Sequence, residues 1–253
     1  MYTEEQLSQL EQEELTVTEE AIAVMILLLA STRNDIEKEL RNFYQKYGKD
    51  GVITYKEARK WVSEKDHRRR STVLLLTINE LFRNTEAIVV EDFESFLTEV
   101  IGMEETLFEA KVNIEEVLAM KWGLDNLNWL QRLQDDFDLW VARIQSDIKI
   151  GMIQRLNIEE VVERLNARFK SITKAVHKLG VTESTAVGSL ARKSLFKALG
   201  ITKYRYFAKI DERTCEQCGA LHGTVFPISE FEVGVTASPI HPHCRCWEEP
   251  IME

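Results

Sequence analysis

The residues best suited to chemistry lie near the end of the chain. All four cysteines occur there in two pairs, Cys215 with Cys218 and Cys244 with Cys246. A Cys-x-x-Cys turn directs two sulfur atoms toward one point, and cysteines two positions apart on an extended segment share a face. Two histidines precede the second pair. Together these residues offer the sulfur and nitrogen donors of a tetrahedral site, the geometry that structural Zn²⁺ prefers.

The number of candidate ligands exceeds the four that a tetrahedral ion needs. We predict a structural zinc site formed by Cys215, Cys218 and Cys246, with His241 or Cys244 as the fourth ligand. Two alternatives stay open at this point: two disulfides, or reduced thiols in a hydrogen-bonded core. A reducing cytoplasm disfavours the disulfides.

Three charged residues accompany the cysteines: Asp211, Arg213 and Arg245. Asp211 and Arg213 lead directly into the first pair, and Arg245 lies inside the second. A buried pair between aspartate and arginine forms two parallel hydrogen bonds, so it can lock two chain segments together. We therefore predict that these residues hold the two limbs of the cysteine site in place.

An enzymatic function is the main alternative to a structural site. A metal-dependent nuclease would use Asp211, His241 and His243 around an ion with an open coordination position. The zinc-deaminase, helical zinc-protease, P-loop and dinucleotide-binding patterns are absent from the sequence. No second catalytic element accompanies the cluster, so we predict that the protein is not an enzyme.

The rest of the chain has the composition of long helices. Of 253 residues, 44% are apolar and 29% charged, and only four are proline, so a mainly α fold is favoured. We predict a long helical N-terminal body and a small α+β, cysteine- and histidine-rich C-terminal knuckle. The expected domains are an N-terminal helical region (1–118), a second helical part (119–203) and the knuckle (204–253).

Local signals predict where the first helices begin and end. Thr16 with Glu19 forms a capping box, in which each side chain accepts a backbone N–H of the other residue. That helix should run to Tyr47 and stop at Gly48. Residues 1–15 are polar and acidic, so they are expected to be frayed or disordered.

Further signals follow along the chain. A second capping box, Thr54 with Glu57, predicts another helix, and Asn157 with Glu160 predicts a third. We expect that third helix to end at Gly180, and a new one to begin at once and end near Gly200. Proline and glycine enrichment after that point makes further helix unlikely, while the segment 204–210 alternates as a strand does.

The charge is unevenly distributed. The formal net charge is −10, so the whole chain is not a general nucleic-acid binder, yet residues 155–209 contain 12 basic and 4 acidic residues, a net of +8. Such a stretch is either a solvated helix face or a surface for phosphates or an acidic partner. On the second reading, the candidate contacts to a DNA backbone are Arg192, Lys193 and Lys197.

No membrane partner is expected. The longest apolar run, Ala21 to Ala30, has ten residues, whereas a membrane span needs roughly 20. The acidic start of the chain does not resemble a signal peptide. We therefore expect a cytoplasmic protein with reduced thiols.

The cysteine-rich end resembles a known family. The ordered pattern is Asp211-Glu212-Arg213-Thr214-Cys215-x-x-Cys218, then Leu221-x-Gly223, then Pro239-x-His241-Pro242-x-Cys244-Arg245-Cys246. It resembles the phage head-morphogenesis proteins, which are the Mu protein F-like minor head, or minor capsid, proteins of tailed bacteriophages. Trp122-Gly123 and the helices between 127 and 199 are similar to the helical part of that family, and the turn at 47–51 to its N-terminal region.

The resemblance implies a structural role. Family members are low-copy head components that associate with the portal and often with DNA, and support procapsid assembly and DNA packaging or delivery. The implied partners are the portal protein and a major capsid or scaffold protein. The implied location is the host cytoplasm during assembly and then the interior of the virion head. A cellular zinc-binding regulator is a third hypothesis, but the acidic first half opposes it.

Overall fold

The computed structural model describes residues 4–53 and 65–252. The fold is mainly α, as predicted, with a small antiparallel sheet near the C-terminus. The described residues form six α-helices: α1 (Glu4–Tyr47), α2 (Lys65–Phe108), α3 (Ile114–Ala119), α4 (Trp129–Ile153), α5 (Ile158–Ala198) and α6 (Glu216–Leu221). Helices α4 and α5 lie between the N-terminal helices and the knuckle in the sequence.

The sheet lies in the knuckle and has three strands, β1 (Lys203–Phe207), β2 (Val225–Pro227) and β3 (Trp247–Ile251). Their order is β2-β1-β3, and both pairings are antiparallel. Tyr204 and Tyr206 are fully buried, whereas Lys203 and Arg205 are exposed, so β1 has the predicted alternation. Tyr206 pairs with Glu248 of β3, and this register places both side chains on the buried face.

The chain forms two compact units, each assembled from separate segments. The first contains Met1–Ala23, Glu91–Arg132 and His177–Glu253, and the second contains Val24–Val90 and Leu133–Val176. The three consecutive domains expected from the sequence stay a prediction, because compactness alone does not show which segments fold independently.

The first unit has an aromatic and apolar core. Phe108 packs edge-to-face on Phe196, with ring centroids 5.3 Å apart, and Phe93 packs on Trp129 at 5.8 Å. Such pairs contribute beyond the area they bury. Most of α5 between residues 181 and 196 is buried, so this stretch is the central helix of the unit.

The second unit is built around Phe82. Its ring stacks on Phe169 at 6.0 Å and meets Phe137 edge-to-face at 6.5 Å. At the start of α5, the Asn157 side chain accepts the N–H of Glu160 at 3.0 Å, and the Glu160 carboxylate accepts the N–H of Asn157 at 2.7 Å. The capping box predicted at the start of α5 is therefore confirmed.

The predicted start of the first helix was wrong. Helix α1 begins at Glu4 rather than at Thr16, whose hydroxyl donates to the carbonyl of Gln12 inside the helix. The acidic segment that we expected to be frayed is thus helical from residue 4. The end at Tyr47 before Gly48 is confirmed. The second capping box, Thr54 with Glu57, lies outside the described residues.

Gly180 does not end a helix, contrary to the prediction, because α5 continues through it to Ala198. A Cβ placed on Gly180 would lie 2.5 Å from Cγ1 of Ile22. The glycine therefore permits a close approach of α1 to α5 inside the first unit. Thr182 lies where we expected a new helix to begin, but its hydroxyl donates to the carbonyl of Lys178 within the same helix.

Helix α1 contains a stretch that could cross a membrane by length and composition. The segment Gln12–Tyr47 includes an 18-residue window of mean hydropathy 1.7, and 28% of that window is buried in the structure. The ten-residue run considered above therefore understates its apolar length. This is weak evidence for a span, because core helices of soluble proteins pass the same test. Here Ile22, Met25 and Leu29 are buried.

Candidate metal centre

The first cysteine pair begins a short helix. Cys215 is the N-cap of α6, and its sulfur accepts the backbone N–H of Cys218 at 3.3 Å. An N-cap accepts one of the otherwise unpaired N–H groups of the first turn. The loop before it is fixed by Thr214, whose hydroxyl accepts from the N–H of Asp211 and donates to the carbonyl of Lys209. The sequence had not indicated a helix at this point.

The structure gathers both cysteine pairs and one histidine. Nε2 of His241 lies 3.2 Å from the sulfur of Cys215 and 3.3 Å from that of Cys218. The sulfurs of Cys218 and Cys244 are 3.7 Å apart. Cys246 forms a second group with Cys218 and Cys244, in which all ligand atoms lie within 4.8 Å of one another. Cys218 thus belongs to both groups.

Three separations within the cluster are close to those between donors around a tetrahedral ion, and the donors form two groups of three that share Cys218. With Zn–S bonds of about 2.3 Å, two sulfurs on a tetrahedron are about 3.8 Å apart, and a sulfur and an imidazole nitrogen about 3.6 Å. The observed separation between Cys218 and Cys244 matches the first value, and the two histidine contacts are slightly shorter than the second. The donor set of thiols and imidazole is the one that zinc prefers. These Cys and His side chains could therefore hold a metal ion.

His241 has the orientation of a ligand. Its Nδ1 lies 2.8 Å from the carbonyl oxygen of Pro242, so this nitrogen carries the hydrogen and donates it. The lone pair of Nε2 then faces the sulfurs. Burial alone would lower the pKa of His241, but the Pro242 carbonyl and the neighbouring thiols Cys244 and Cys215 raise it above its ordinary value.

The thiols differ in their affinity for protons. The N–H of Cys218 lowers the pKa of Cys215, whereas burial raises the pKa of Cys218 to about 12. A hydrogen bond from Cys246 lowers the pKa of Cys244 to about 5. Several buried sulfurs therefore cannot all be ionised without a cation. A divalent ion would displace their protons and compensate the charge.

Tyr206 is a member of the site that the sequence analysis missed as a functional residue. It is fully buried, and its hydroxyl donates to the sulfur of Cys218 at 3.5 Å and lies 3.8 Å from that of Cys244. Burial raises the pKa of this phenol far above its ordinary value, so it remains a donor. The available signal was the inward position of Tyr206 on the alternating strand β1.

The three charged companions form an exposed clasp. Arg245 donates two hydrogen bonds to the carboxylate of Asp211, at 2.7 and 2.8 Å, and the backbone N–H of Arg213 donates to the same carboxylate at 2.8 Å. These contacts hold the pKa of Asp211 far below its usual range. The clasp joins the segments before the first cysteine pair and inside the second, and its paired side chains, Arg245 and Asp211, are 22% and 32% exposed rather than buried.

Two other histidines near the cysteines, His243 and His222, contact residues outside the cluster. His243 has a positive φ of 60°, and its ring centroid lies 5.4 Å from that of His177 on α5. His222 accepts the N–H of Ala208 through Nδ1 at 3.1 Å. Neither belongs to the groups of possible ligands found in the described part of the chain.

Hydrogen bonds fasten the knuckle to α5 inside the first unit. Thr185 donates to the carbonyl of Cys244 at 3.3 Å. Ser189 lies 3.0 Å from the hydroxyl of Ser238 and donates to the carboxylate of Glu248 at 2.9 Å. All of these except Thr185 are buried. The cysteine cluster is therefore anchored by its own backbone and by the strand that follows it.

The residues predicted to contact DNA or a portal have different environments. Arg192 is buried, and its Nε lies 3.1 Å from Glu104 and 3.6 Å from Glu248, so it cannot serve as a surface contact. Lys193 is half-buried, with its ammonium 5.8 Å from the ring centroid of Phe231. Lys197 is exposed on the last turn of α5.

Residues 142–248 match the family described as Phage Mu protein F like protein. The resemblance to the phage head-morphogenesis family is confirmed for this segment. The Mu F-like segment includes part of α4, all of α5 and the whole cysteine cluster, whereas α1 and α2 precede it. No curated protein and no solved structure matches the chain significantly. The match supports a phage head-morphogenesis protein that works with other head proteins.

Proposed function

We propose that this protein is a minor head protein that associates with the portal and acts in procapsid assembly and in DNA packaging or delivery. The observation that carries the proposal is the Mu F-like segment, which contains the entire Cys/His cluster. Its partners would be the portal protein and a major capsid or scaffold protein. It would assemble in the host cytoplasm and remain inside the virion head.

We further propose that the cluster is a structural zinc site and that the protein is not an enzyme. Cys215, Cys218, His241 and Cys244 supply four donors, which is the number that a closed structural site uses. Cys246 is the alternative to Cys244, since both lie in the second group with Cys218. The ion would fix the loops of the knuckle, which are too short to form a large apolar core.

The nuclease alternative meets two obstacles in the geometry. A general base must be able to reach a water or a substrate, but both oxygens of Asp211 accept hydrogen bonds from Arg245. His243 contacts the ring of His177 rather than the cluster. Incubating the purified protein with plasmid DNA and Mg²⁺, Mn²⁺ or Zn²⁺ tests this point. Cleavage that His241→Ala abolishes would favour the nuclease.

A contact to the DNA backbone is the least constrained part of the proposal. The net charge of +8 overstates the available basic surface, because Arg192 is buried and Arg168 and Arg205 pair with acidic residues. The exposed lysines on α5 are Lys170, Lys174, Lys178 and Lys197. Lys193 and Lys197 remain candidates from the original set. Binding of this kind should be insensitive to sequence and weaken steeply with salt.

The decisive experiment uses the phage itself. The gene is deleted and supplied in trans as the parent, as Cys215→Ser/Cys218→Ser, or as the control Gln217→Ser, which changes an exposed residue of the same turn. Purified heads are counted by electron microscopy, and their content of this protein and of portal is measured by mass spectrometry. We expect normal heads with the parent and the control, and few DNA-filled heads with the double variant. Normal heads that lack the protein would overturn the proposal.

A further inference from the structure

A groove lies between α1 and α2 inside the first unit, and its walls are one face of each helix. Its volume is about 430 Å³. The lining residues recur at helical spacing and are Gln6, Gln9, Leu10 and Glu13 on α1, and Glu99, Gly102, Met103, Thr106 and Leu107 on α2. This α1–α2 groove follows each helix for about two turns, which is roughly 11 Å.

The α1–α2 groove has an apolar floor with open space above it. Leu10 is buried, whereas Met103 and Leu107 are partly exposed. A Cβ built on Gly102 would meet no neighbouring atom within 4 Å. Apolar side chains of a partner could therefore enter the groove and leave water there, which is the main favourable contribution to association at such surfaces.

The two segments that form the groove contain acidic charges only. Residues 1–23 contain seven glutamates and no lysine or arginine. Residues 91–110 contain six glutamates, one aspartate and no lysine or arginine. Their combined formal charge of −14 exceeds in magnitude the −10 of the whole chain. Among the described residues that line the groove, none is basic.

The basic side chains near these segments lie at other places. Four of them line a separate cavity: Arg192, Lys209, Arg213 and Arg245. Lys111, the first basic residue after the acidic stretch of α2, has its ammonium 2.5 Å from the carboxylate of Glu105. At the rim of the groove, Glu13 and Glu99 are both exposed. The rim therefore presents negative charge to solvent, where it can attract a basic partner.

Two classes of occupant do not fit the α1–α2 groove. The acidic rim would repel the phosphates of nucleic acids and of anionic lipids. A second copy of this chain does not offer its basic helix either. The exposed lysines of α5 stand beside apolar residues that are already buried in the fold, namely Phe169, Ile172 and Val176. The groove therefore suits a different protein, whose basic helix has an unburied apolar face.

We propose that the α1–α2 groove binds an amphipathic helix of a partner protein, with apolar residues on one face and lysines or arginines beside them. Two turns of such a helix would place side chains at i, i+3 or i+4, and i+7 into the groove. Its basic residues would lie against Glu13 and Glu99. The apolar contacts would supply affinity, and the charges would speed association and select against acidic partners. This binding depends neither on the metal centre nor on a role in the phage head.

The first test uses the purified full-length protein and a synthetic probe. The probe is a fluorescein-labelled helical peptide of leucine and lysine, with leucines at i, i+3, i+4 and i+7. One control peptide has the same composition in scrambled order, and a second has glutamate in place of every lysine. Fluorescence anisotropy should show saturable binding of the probe that weakens with added salt, and no binding of either control. Failure of the probe to bind, or equal binding of a control peptide, would overturn the proposal.

Variants of α2 locate the binding site. Gly102→Leu fills the open space above the floor and should weaken probe binding by about tenfold or more. Glu99→Lys reverses a charge at the rim and should weaken it severalfold. The matched control Glu94→Lys makes the same change of charge at an exposed site of the same helix outside the groove, and should bind as the parent does.

Three results with these variants would contradict the proposal. Unchanged binding by a folded Gly102→Leu, checked by circular dichroism, would place the probe elsewhere. Equal weakening in Glu99→Lys and Glu94→Lys would show that overall charge attracts the probe, and this comparison holds even if Gly102→Leu does not fold. Sedimentation velocity of the parent without the probe gives the third. Self-association that Glu99→Lys abolishes and Glu94→Lys preserves would assign the groove to a second copy of the chain.

Discussion

The knuckle and the second unit achieve order by different means. In the second unit, three aromatic rings centred on Phe82 and a capping box at Asn157 stabilise long helices. In the knuckle, no strand exceeds five residues, and the side chains that converge are thiols, an imidazole and a phenol. Burial of apolar area can sustain the first arrangement, whereas the second has the donor set of a metal cross-link. Substitutions should therefore separate the two regions.

The largest effect is expected from the cysteines. Cys215→Ser/Cys218→Ser removes two donors, and structural zinc in small domains contributes roughly 10 kcal/mol or more to folding. Residues 204–253 should lose most of their hydrogen-exchange protection, while the helical circular dichroism signal is largely retained. Elemental analysis should give about one zinc per chain for the parent and the control Gln217→Ser, and none for the double variant. Equal thermal stability of double variant and parent would count against a structural metal.

Phe82→Ala should destabilise the second unit and leave the knuckle intact. Truncating a fully buried phenylalanine costs about 3–5 kcal/mol, because it removes apolar contacts and leaves a cavity. We expect residues of the second unit to exchange faster and the metal content to stay unchanged. Leu27→Ala, at a site 70% exposed, is the control and should change stability little. Zinc loss in Phe82→Ala would show that the two regions do not respond separately.

Gly180→Ala probes the packing of α1 on α5. The new Cβ would lie 2.5 Å from Ile22, so the helices must shift, at a cost of about 1–3 kcal/mol. Gly102→Ala is the matched control, because no atom lies within 4 Å of its Cβ and alanine is the better helix former. Chemical denaturation should show a lower midpoint for the first variant and an equal or higher one for the second. The reverse order would mean that the contact with Ile22 is absent in solution.

The smallest effect is expected from the exposed clasp. Asp211→Asn removes the charge that Arg245 binds and should slightly increase the rate at which a chelator extracts the metal. Because the folded pKa of Asp211 is lowered, its contribution is present above the ordinary aspartate pKa and is lost as the pH falls below it. Parent and variant should thus differ at pH 7 and converge in acid. A constant difference across this range would assign the effect to packing.

The parts of the fold that the sequence predicted correctly depend on neighbouring residues. Asn157 and Glu160 are three positions apart, so their capping box is visible without knowledge of the tertiary structure. The spacing of the cysteines likewise indicated a common site. The strand containing Tyr204 and Tyr206 followed from alternation.

The predictions were wrong where residues distant in the sequence determine the environment of a side chain or the end of a helix. Gly180 looks like a helix stop until Ile22 is seen beside it. Arg192 looks like a surface cation, yet Glu104 and Glu248, 88 and 56 positions away in sequence, bury it as an ion pair. The spacing of the cysteines could not decide between His241 and Cys244 either, because both reach the cluster only through the fold of the loop between the pairs.

The N-cap position of Cys215 has a consequence for chemical labelling. Cys215 is the only one of the four cysteines that is not buried. Its sulfur accepts a hydrogen bond from a backbone N–H of the helix, which favours the thiolate, the form that attacks electrophiles. An alkylating reagent should therefore modify Cys215 first. Coordination to an ion would occupy the same sulfur. The reactivity of this single residue would consequently report whether a metal ion occupies the knuckle.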